Sequence, residues 1–78
     1  MLIGGYLMHS AKLEHSDRLQ RVFSVLADGK RHSTREIIRM ADVCAVNSIA
    51  AELRANGIPV ECEAVAGIRG RYEYWIAA

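Results

Sequence analysis

The apolar residues of this 78-residue chain change their spacing once, at Asn56-Gly57. Before that point they recur every three or four residues, and after it they occupy every second position. The first spacing predicts amphipathic helices, and the second predicts strands with one buried face. The chain is therefore predicted to be an α+β domain, with its helices first and a β-hairpin at its C-terminal end.

Three helices are predicted, at about 17–28, 34–41 and 45–56. Ser16 is placed to cap the first helix, and Gly29 to end it in the left-handed conformation. Ser33 and Glu36 form a capping box for the second. Asp42 is expected to adopt the left-handed conformation in the turn that follows, and Cys44 to occupy the cap position of the third helix. The side chains predicted to face the core are Leu19, Val22, Phe23, Leu26, Thr34, Ile37, Ile38, Ala41, Val46, Ile49, Ala50 and Leu53.

Two strands are predicted after the third helix, joined by a loop at 66–70 that contains Gly67 and Gly70. The side chains predicted to face inward from these strands are Ile58, Val60, Cys62, Ala64, Tyr72, Tyr74 and Ile76. Trp75 alternates with them and is expected on the opposite face of the sheet. We expect either the N-terminal segment (Ile3, Tyr6 and Leu7) or a dimer interface to cover it.

Composition indicates one globular domain at 16–78, preceded by an arm or appendage at 1–15. Ten basic and nine acidic residues give a net charge of +1, which excludes a strongly basic nucleic-acid tail. No apolar run approaches the ~18 residues of a membrane span, and the opening residues lack the basic region and cleavage site of a signal peptide. Two cysteines form no disulfide framework, so we expect reduced thiols and a cytoplasmic protein without a membrane partner.

The order of helix, short link, helix, tight turn, helix and hairpin is the layout of a winged helix-turn-helix, a three-helix core with a C-terminal β-hairpin wing. Three strings within 17–76 resemble the small winged helix-turn-helix domains of phage and prophage proteins: Leu53-Arg54-Ala55-Asn56-Gly57, Val60-Glu61-Cys62 and Gly70-Arg71-Tyr72-Glu73-Tyr74. This resemblance implies sequence-specific binding to double-stranded DNA, in transcriptional or excision-type regulation.

A recognition helix reads base edges with the outward residues of its N-terminal half. In the third predicted helix these are Ala45, Asn47, Ser48 and Ala51. Asn47 can pair with adenine through two hydrogen bonds, Ser48 can reach a base or a phosphate, and either alanine suits a thymine methyl. The alternative is that Asn47 and Ser48 are ordinary first-turn residues that satisfy free backbone donors.

Phosphate contacts are predicted from basic side chains and from the N-terminus of the second helix. The predicted phosphate-binding residues are Lys30, Arg31, Thr34, Arg35, Arg39, Arg54, Arg69 and Arg71. Charge is unevenly distributed, since 28–40 holds four basic and two acidic residues whereas 41–66 holds one basic and four acidic residues. The alternative is that these charges simply keep a helix face soluble.

Catalytic and metal-binding patterns are not found in the sequence. His9, His15 and His32 with Cys44 and Cys62 lack zinc-ligand spacing, and no nucleophile–base set or phosphate-binding glycine loop occurs. We therefore expect no enzyme activity, no cofactor and no small-molecule substrate. The alternative function is a winged-helix protein-interaction module, and a second copy of the chain is a candidate partner in either case.

Overall fold

The computed structural model describes residues 12–77, which form three α-helices and a three-stranded antiparallel sheet. A short 3-10 helix at Leu13–His15 precedes them. The elements are α1 (Asp17–Leu26), β1 (His32–Ser33), α2 (Thr34–Ala41), α3 (Val46–Ala55), β2 (Val60–Ala64) and β3 (Tyr72–Ile76). Within this part of the chain, none of the helices has the length and apolar character needed to cross a bilayer.

The first two helices begin at their predicted caps. The Ser16 hydroxyl accepts a hydrogen bond from the Leu19 N–H at 3.4 Å, and the Ser33 hydroxyl accepts one from the Glu36 N–H at 3.0 Å. α1 ends at Leu26, two residues earlier than predicted. The Asp28 carboxylate accepts from the Lys30 N–H at 2.8 Å, which is the local turn that aspartate favours over helix. Gly29 is left-handed, as predicted, with φ 76°.

The core lies between the helices and one face of the sheet. Its buried apolar side chains are Leu19, Val22, Leu26, Ile37, Ala41, Val46, Ile49, Ala50, Leu53, Val60 and Tyr74. The predicted inward position of Ile38 was wrong, because its side chain is 40% exposed. Ile37 and Ala41 stand one turn apart on α2 and fill the interface, which leaves Ile38 about 100° around the helix from Ile37.

The sheet contains a strand that the sequence did not reveal. The strand order is β1-β3-β2, and His32 and Ser33 pair with Tyr74 and Glu73 of the central strand. A two-residue strand is too short to produce an alternating pattern, so His32 was predicted to lie in the short link between helices and Ser33 only to cap the second helix.

The hairpin extends beyond the helices that cover the sheet. Val60 pairs with Ile76 beside the core, whereas Ala64 pairs with Tyr72, about 13 Å further along the strand. The alternation was predicted correctly, but the inward placement of Cys62, Ala64 and Tyr72 in the core was wrong, since all three are exposed. At these residues the inner face of the sheet extends beyond the helices, so the helices do not bury it.

Trp75 lies on the outer face of the sheet, as predicted, and a side chain of the domain itself packs against its ring. The Arg31 guanidinium carbon lies 4.0 Å from the centroid of the Trp75 ring, a cation–π contact. Arg31 Nη1 also lies 2.5 Å from Glu63 Oε1 and 3.5 Å from Glu73 Oε1. Arg31 thereby joins the residue before β1 to both strands of the hairpin. Ile3, Tyr6 and Leu7, predicted as the cover, lie outside the described residues.

His32 is a buried polar residue at the junction of α1, β1 and α2, with 7% exposure. Its Nε2 lies 2.9 and 3.0 Å from the two carboxylate oxygens of Asp28, and its Nδ1 lies 2.8 Å from Glu36 Oε1. The return contact of Glu36 in the capping box therefore goes to His32 rather than to the Ser33 backbone. Because ionised carboxylates only accept hydrogen bonds, both contacts are satisfied only when His32 is an imidazolium that donates from both nitrogens.

Protonation of His32 is therefore linked to stability. Burial lowers the pKa of His32, but the hydrogen bonds and charges of Asp28 and Glu36 outweigh it, and the net effect raises the pKa above 6.5. The hydrogen bond from His32 lowers the pKa of Asp28, which keeps that carboxylate ionised in mildly acidic solution. A raised pKa in the folded state means that this stabilisation is complete below pH 6.5 and is lost as the pH rises through the folded-state value.

We expect His32→Gln to lower the free energy of unfolding by about 1.5 to 3 kcal/mol near pH 5.5, since it removes hydrogen bonds to charged groups. The difference from the original protein should shrink as the pH rises above the folded-state pKa of His32. Urea unfolding of both proteins from pH 5.5 to 9 measures it, and exposed titrating groups cancel in the comparison. A difference that stays constant with pH would show that His32 is not held as the imidazolium.

Candidate nucleic-acid interface

α3 is anchored on one side and exposed on the other. Its buried residues are Val46, Ile49, Ala50 and Leu53, which pack in the core. The predicted base-reading residues are all exposed to solvent, and no other residue of 12–77 buries them: Ala45, Asn47, Ser48 and Ala51. Ten residues of helix span about 15 Å, enough to present this face as one continuous surface.

The α2–α3 turn fixes how α3 leaves α2. Asp42 is left-handed, as predicted, with φ 55° and ψ 55°. The Arg21 side chain of α1 donates from Nε to the Ala41 carbonyl at 2.7 Å and from Nη2 to the Asp42 carbonyl at 3.4 Å. These bonds satisfy carbonyls at the C-terminal end of α2, which have no N–H partner within the helix. The turn is therefore tied to α1 by one guanidinium group.

The start of α3 differs from the prediction. Cys44 is exposed and does not cap the helix, and the N-cap residue is Ala45, with φ 52° and ψ 49°. Alanine has no side-chain acceptor, and its Cβ makes the left-handed conformation cost roughly 1 to 2 kcal/mol. Ala45 therefore places backbone strain at the N-terminal end of the exposed face. Strained backbone residues cluster at functional sites.

A groove of about 430 Å³ separates the first turn of α3 from the hairpin. α3 contributes Ala45 and Asn47 to one wall, and the base of the hairpin loop contributes Gly70 to the other. Side chains of Ile38 and Tyr72 also line it, although sequence analysis had assigned both to the core. Periodicity gives the face of the strand on which Tyr72 lies but not where the covering helix ends, and it did not distinguish Ile38 from its buried neighbour Ile37.

The predicted phosphate-binding cations occupy different surroundings. Lys30, Arg35, Arg39 and Arg69 are exposed, and Arg71 is half-buried. Arg35 and Arg39 directly follow Thr34 and Ile38, which line the groove, and Arg69 and Arg71 flank Gly70 of its other wall. The Thr34 hydroxyl donates to the Tyr72 carbonyl at 3.4 Å, which joins the N-terminus of α2 to the hairpin.

Two of the predicted phosphate-binding arginines already make contacts within the domain. Arg31 is held on the outer face of the sheet by Glu63, Glu73 and Trp75. Arg54, on the last turn of α3, donates from Nε to the Val60 carbonyl at 2.7 Å. Both side chains were chosen for their charge, but each already satisfies an acceptor of the domain itself.

Acidic side chains are separated from the groove. Glu61 pairs with Trp75 and Glu63 with Glu73 across the hairpin, so these carboxylates share the outer face of the sheet. On α3, Glu52 forms an ion pair with Arg18 at 2.9 Å. Among residues 12–77, no acidic residue lines the groove. The hairpin therefore has an acidic outer face with one bound arginine, and an inner face without carboxylates.

Metal chemistry finds no support in this part of the chain. No group of three or more His, Cys, Asp or Glu side chains within 12–77 is arranged to hold a metal ion. Cys44 and Cys62 are both free and exposed. What the described surface offers a partner is a helix face, a groove and a basic loop.

The strain at Ala45 predicts opposite effects for one substitution at two exposed alanines of α3. Ala45→Gly should raise the free energy of unfolding by about 0.5 to 1 kcal/mol, because glycine adopts the left-handed conformation without a steric penalty. Ala51→Gly, inside the helix, should lower it by about 0.5 to 1 kcal/mol. Urea unfolding of both variants measures the pair. A loss of stability in Ala45→Gly would contradict the left-handed start of α3.

No protein-family model matches the chain, and no curated protein or solved structure is significantly similar to it. Neither a family nor a function can therefore be transferred from a relative. The function has to be inferred from the residues of the chain and the surfaces they form.

Proposed function

We propose that this protein is a winged helix-turn-helix domain that binds double-stranded DNA, and that it acts as a small regulator of the phage or prophage type, in transcriptional or excision-type control. α2 and α3 with their turn form the helix-turn-helix, and β2, β3 and their loop form the wing. The observation that carries the proposal is the exposed face of α3 beside a basic hairpin loop.

The dimensions of α3 suit the major groove. A helix with its side chains is about 10 to 12 Å across, and the major groove of B-DNA is about 12 Å wide. In the proposed complex Asn47 accepts from and donates to the edge of an adenine, Ser48 contacts a base or a phosphate, and Ala45 and Ala51 contact thymine methyl groups. Small side chains at these positions allow close approach of the helix to the bases.

Phosphate contacts come from both sides of this helix. Arg31 and Arg54 are held by acceptors of the domain itself. The other predicted phosphate-binding residues are Lys30, Thr34, Arg35, Arg39, Arg69 and Arg71. Such contacts position the protein and supply most of the affinity, whereas α3 supplies the preference for sequence. Segregation of the hairpin's acidic residues to the outer face of the sheet limits repulsion between the hairpin and the duplex.

A protein-interaction module is the second candidate function. The four exposed residues of 45–51 that were predicted to read bases include no cation, and the net charge of the chain is +1. Both observations favour protein binding. DNA binding and protein binding differ in salt dependence, because only DNA releases condensed counterions when it is bound.

Binding to a mixed-sequence duplex at 50, 100 and 200 mM salt tests the proposal. With four to six phosphate contacts, the slope of log K against log salt should be about −3.6 to −5.4. Arg69→Ala with Arg71→Ala should weaken binding to every sequence and make the slope shallower by about 1.8. Lys12→Ala is the control for the loss of a single charge. The neighbouring Leu13 N–H donates to Asn56, just beyond the C-terminal end of α3. Lys12 therefore lies at the opposite end of α3 from the first predicted base-reading residues.

Duplex binding by the original protein separates the two functions, and the double variant tests the role of the wing. No binding of the original protein to duplex at 50 mM salt would contradict the DNA proposal and favour the interaction module. Binding with an unchanged slope in the double variant would show that the wing does not contact phosphates.

Asn47→Ala tests base reading by α3. Duplexes selected from a random pool give the preferred site, and binding to each single-base change of that site gives the preference at every position. Asn47→Ala should abolish the preference at one base pair, worth about 1 to 3 kcal/mol, and leave the others intact. Equal weakening on all sequences, as expected for Arg69→Ala, would show that Asn47 contacts the backbone only.

A further inference from the structure

The groove between α3 and the hairpin has an apolar lining that the fold does not use. Tyr72 is 43% exposed and Ile38 is 40% exposed, and both contribute to the same groove. Cys62, on the strand beside Tyr74, adds a small exposed side chain to it. Adjacent exposed apolar side chains in a concave surface mark a contact site more often than isolated ones do.

The charges around the groove indicate the chemistry of its occupant. No carboxylate of the described residues lines it, and arginines are the chain neighbours of its lining residues on two sides: Arg35 and Arg39 follow Thr34 and Ile38 on α2, and Arg69 and Arg71 flank Gly70 of the loop. An apolar lining with cationic borders suits a chain that is apolar along its middle and anionic at its edges. The sugar-phosphate strand of DNA has that character, with deoxyribose between phosphates.

The position of the groove points to the same occupant. In the proposed complex α3 lies in the major groove, and the hairpin loop lies against the adjacent minor groove. One sugar-phosphate strand separates those two grooves of a duplex, and it passes between α3 and the hairpin. Asn47 of α3 and Gly70 of the loop both line the groove, and glycine leaves room for close approach of a backbone.

Resting on the proposed function, we infer that the groove holds one strand of the duplex and that Tyr72 and Ile38 pack against its deoxyribose rings. Both residues are further DNA contacts, of a kind distinct from the arginines. Their contribution is the burial of apolar surface, which does not depend on counterion release. Tyr72 therefore contributes to affinity on every sequence and at every salt concentration.

Salt dependence distinguishes this contact from the ionic ones. Tyr72→Ala should weaken binding to a duplex about tenfold at 50, 100 and 200 mM salt alike, with the slope of log K against log salt unchanged. Tyr72→Phe keeps the ring and should bind within about twofold of the original protein. Ile38→Ala should weaken binding in the same salt-independent manner.

Met40→Ala is the matched control for Ile38→Ala, because Met40 is an exposed apolar residue of α2 that does not line the groove. It should bind duplex as the original protein does. Thermal unfolding of each variant verifies the fold, and little change is expected where the substituted side chain is exposed.

Cys62 provides a positional readout in the same groove. In a Cys44→Ser chain Cys62 is the only thiol. A saturating concentration of duplex should slow its alkylation by N-ethylmaleimide several-fold. The converse variant, Cys62→Ser, reports on Cys44 in the α2–α3 turn and serves as the comparison.

The outcomes separate the two proposals. Duplex binding with normal affinity in Tyr72→Ala and Ile38→Ala, and no protection of Cys62, would overturn the groove inference and leave the proposed function intact. A shallower salt slope in Tyr72→Ala would also overturn it, by showing that the ring acts through a neighbouring arginine. Absence of duplex binding by the original protein at 50 mM salt would remove both proposals.

Discussion

The contacts of His32 with Asp28 and Glu36 hold together the segment on which the architecture depends. They join the residues after α1, the short strand β1 and the first turn of α2. β1 pairs with β3, so the same segment sets where the hairpin lies relative to the helices. Arg31, one residue earlier, binds both hairpin strands from the outer face. A few residues of extended chain thus orient α2 and the hairpin together.

That orientation creates the surface from which function is inferred. Because β2 and β3 continue past the helical layer, their inner face meets solvent beside α3 instead of being buried. The carboxylates of the hairpin alternate onto the other face, and arginines lie in its loop and on α2. An exposed helix, a groove without carboxylates and a basic loop therefore occur side by side, as a duplex-binding domain requires.

Much of the fold could be predicted from the sequence because the helices carry local signals. Ser16 and Ser33 cap as expected, Asp42 takes the left-handed conformation, and the inward positions of α3 are all buried. The predictions of burial were wrong where tertiary structure, rather than local sequence, decides which side chains are covered. Periodicity assigned Tyr72, Cys62 and Ile38 to the core, but it contains no information on where a covering element ends. Side-chain charge selected Arg31 and Arg54 as phosphate ligands, and charge alone does not reveal the acceptors that the fold brings to them, Glu63 for Arg31 and the Val60 carbonyl for Arg54.

The proposed function requires that a single face of the domain, formed by α3 and the inner side of the hairpin, contacts duplex DNA. Amide chemical-shift mapping of the ¹⁵N-labelled protein during titration with duplex tests it most directly. We expect shifts at 45–51, in the loop at 65–71 and at Tyr72, with little change at Trp75, Glu61 and Glu63 on the outer face. Shifts concentrated on that outer face, or none at all at low salt, would contradict it.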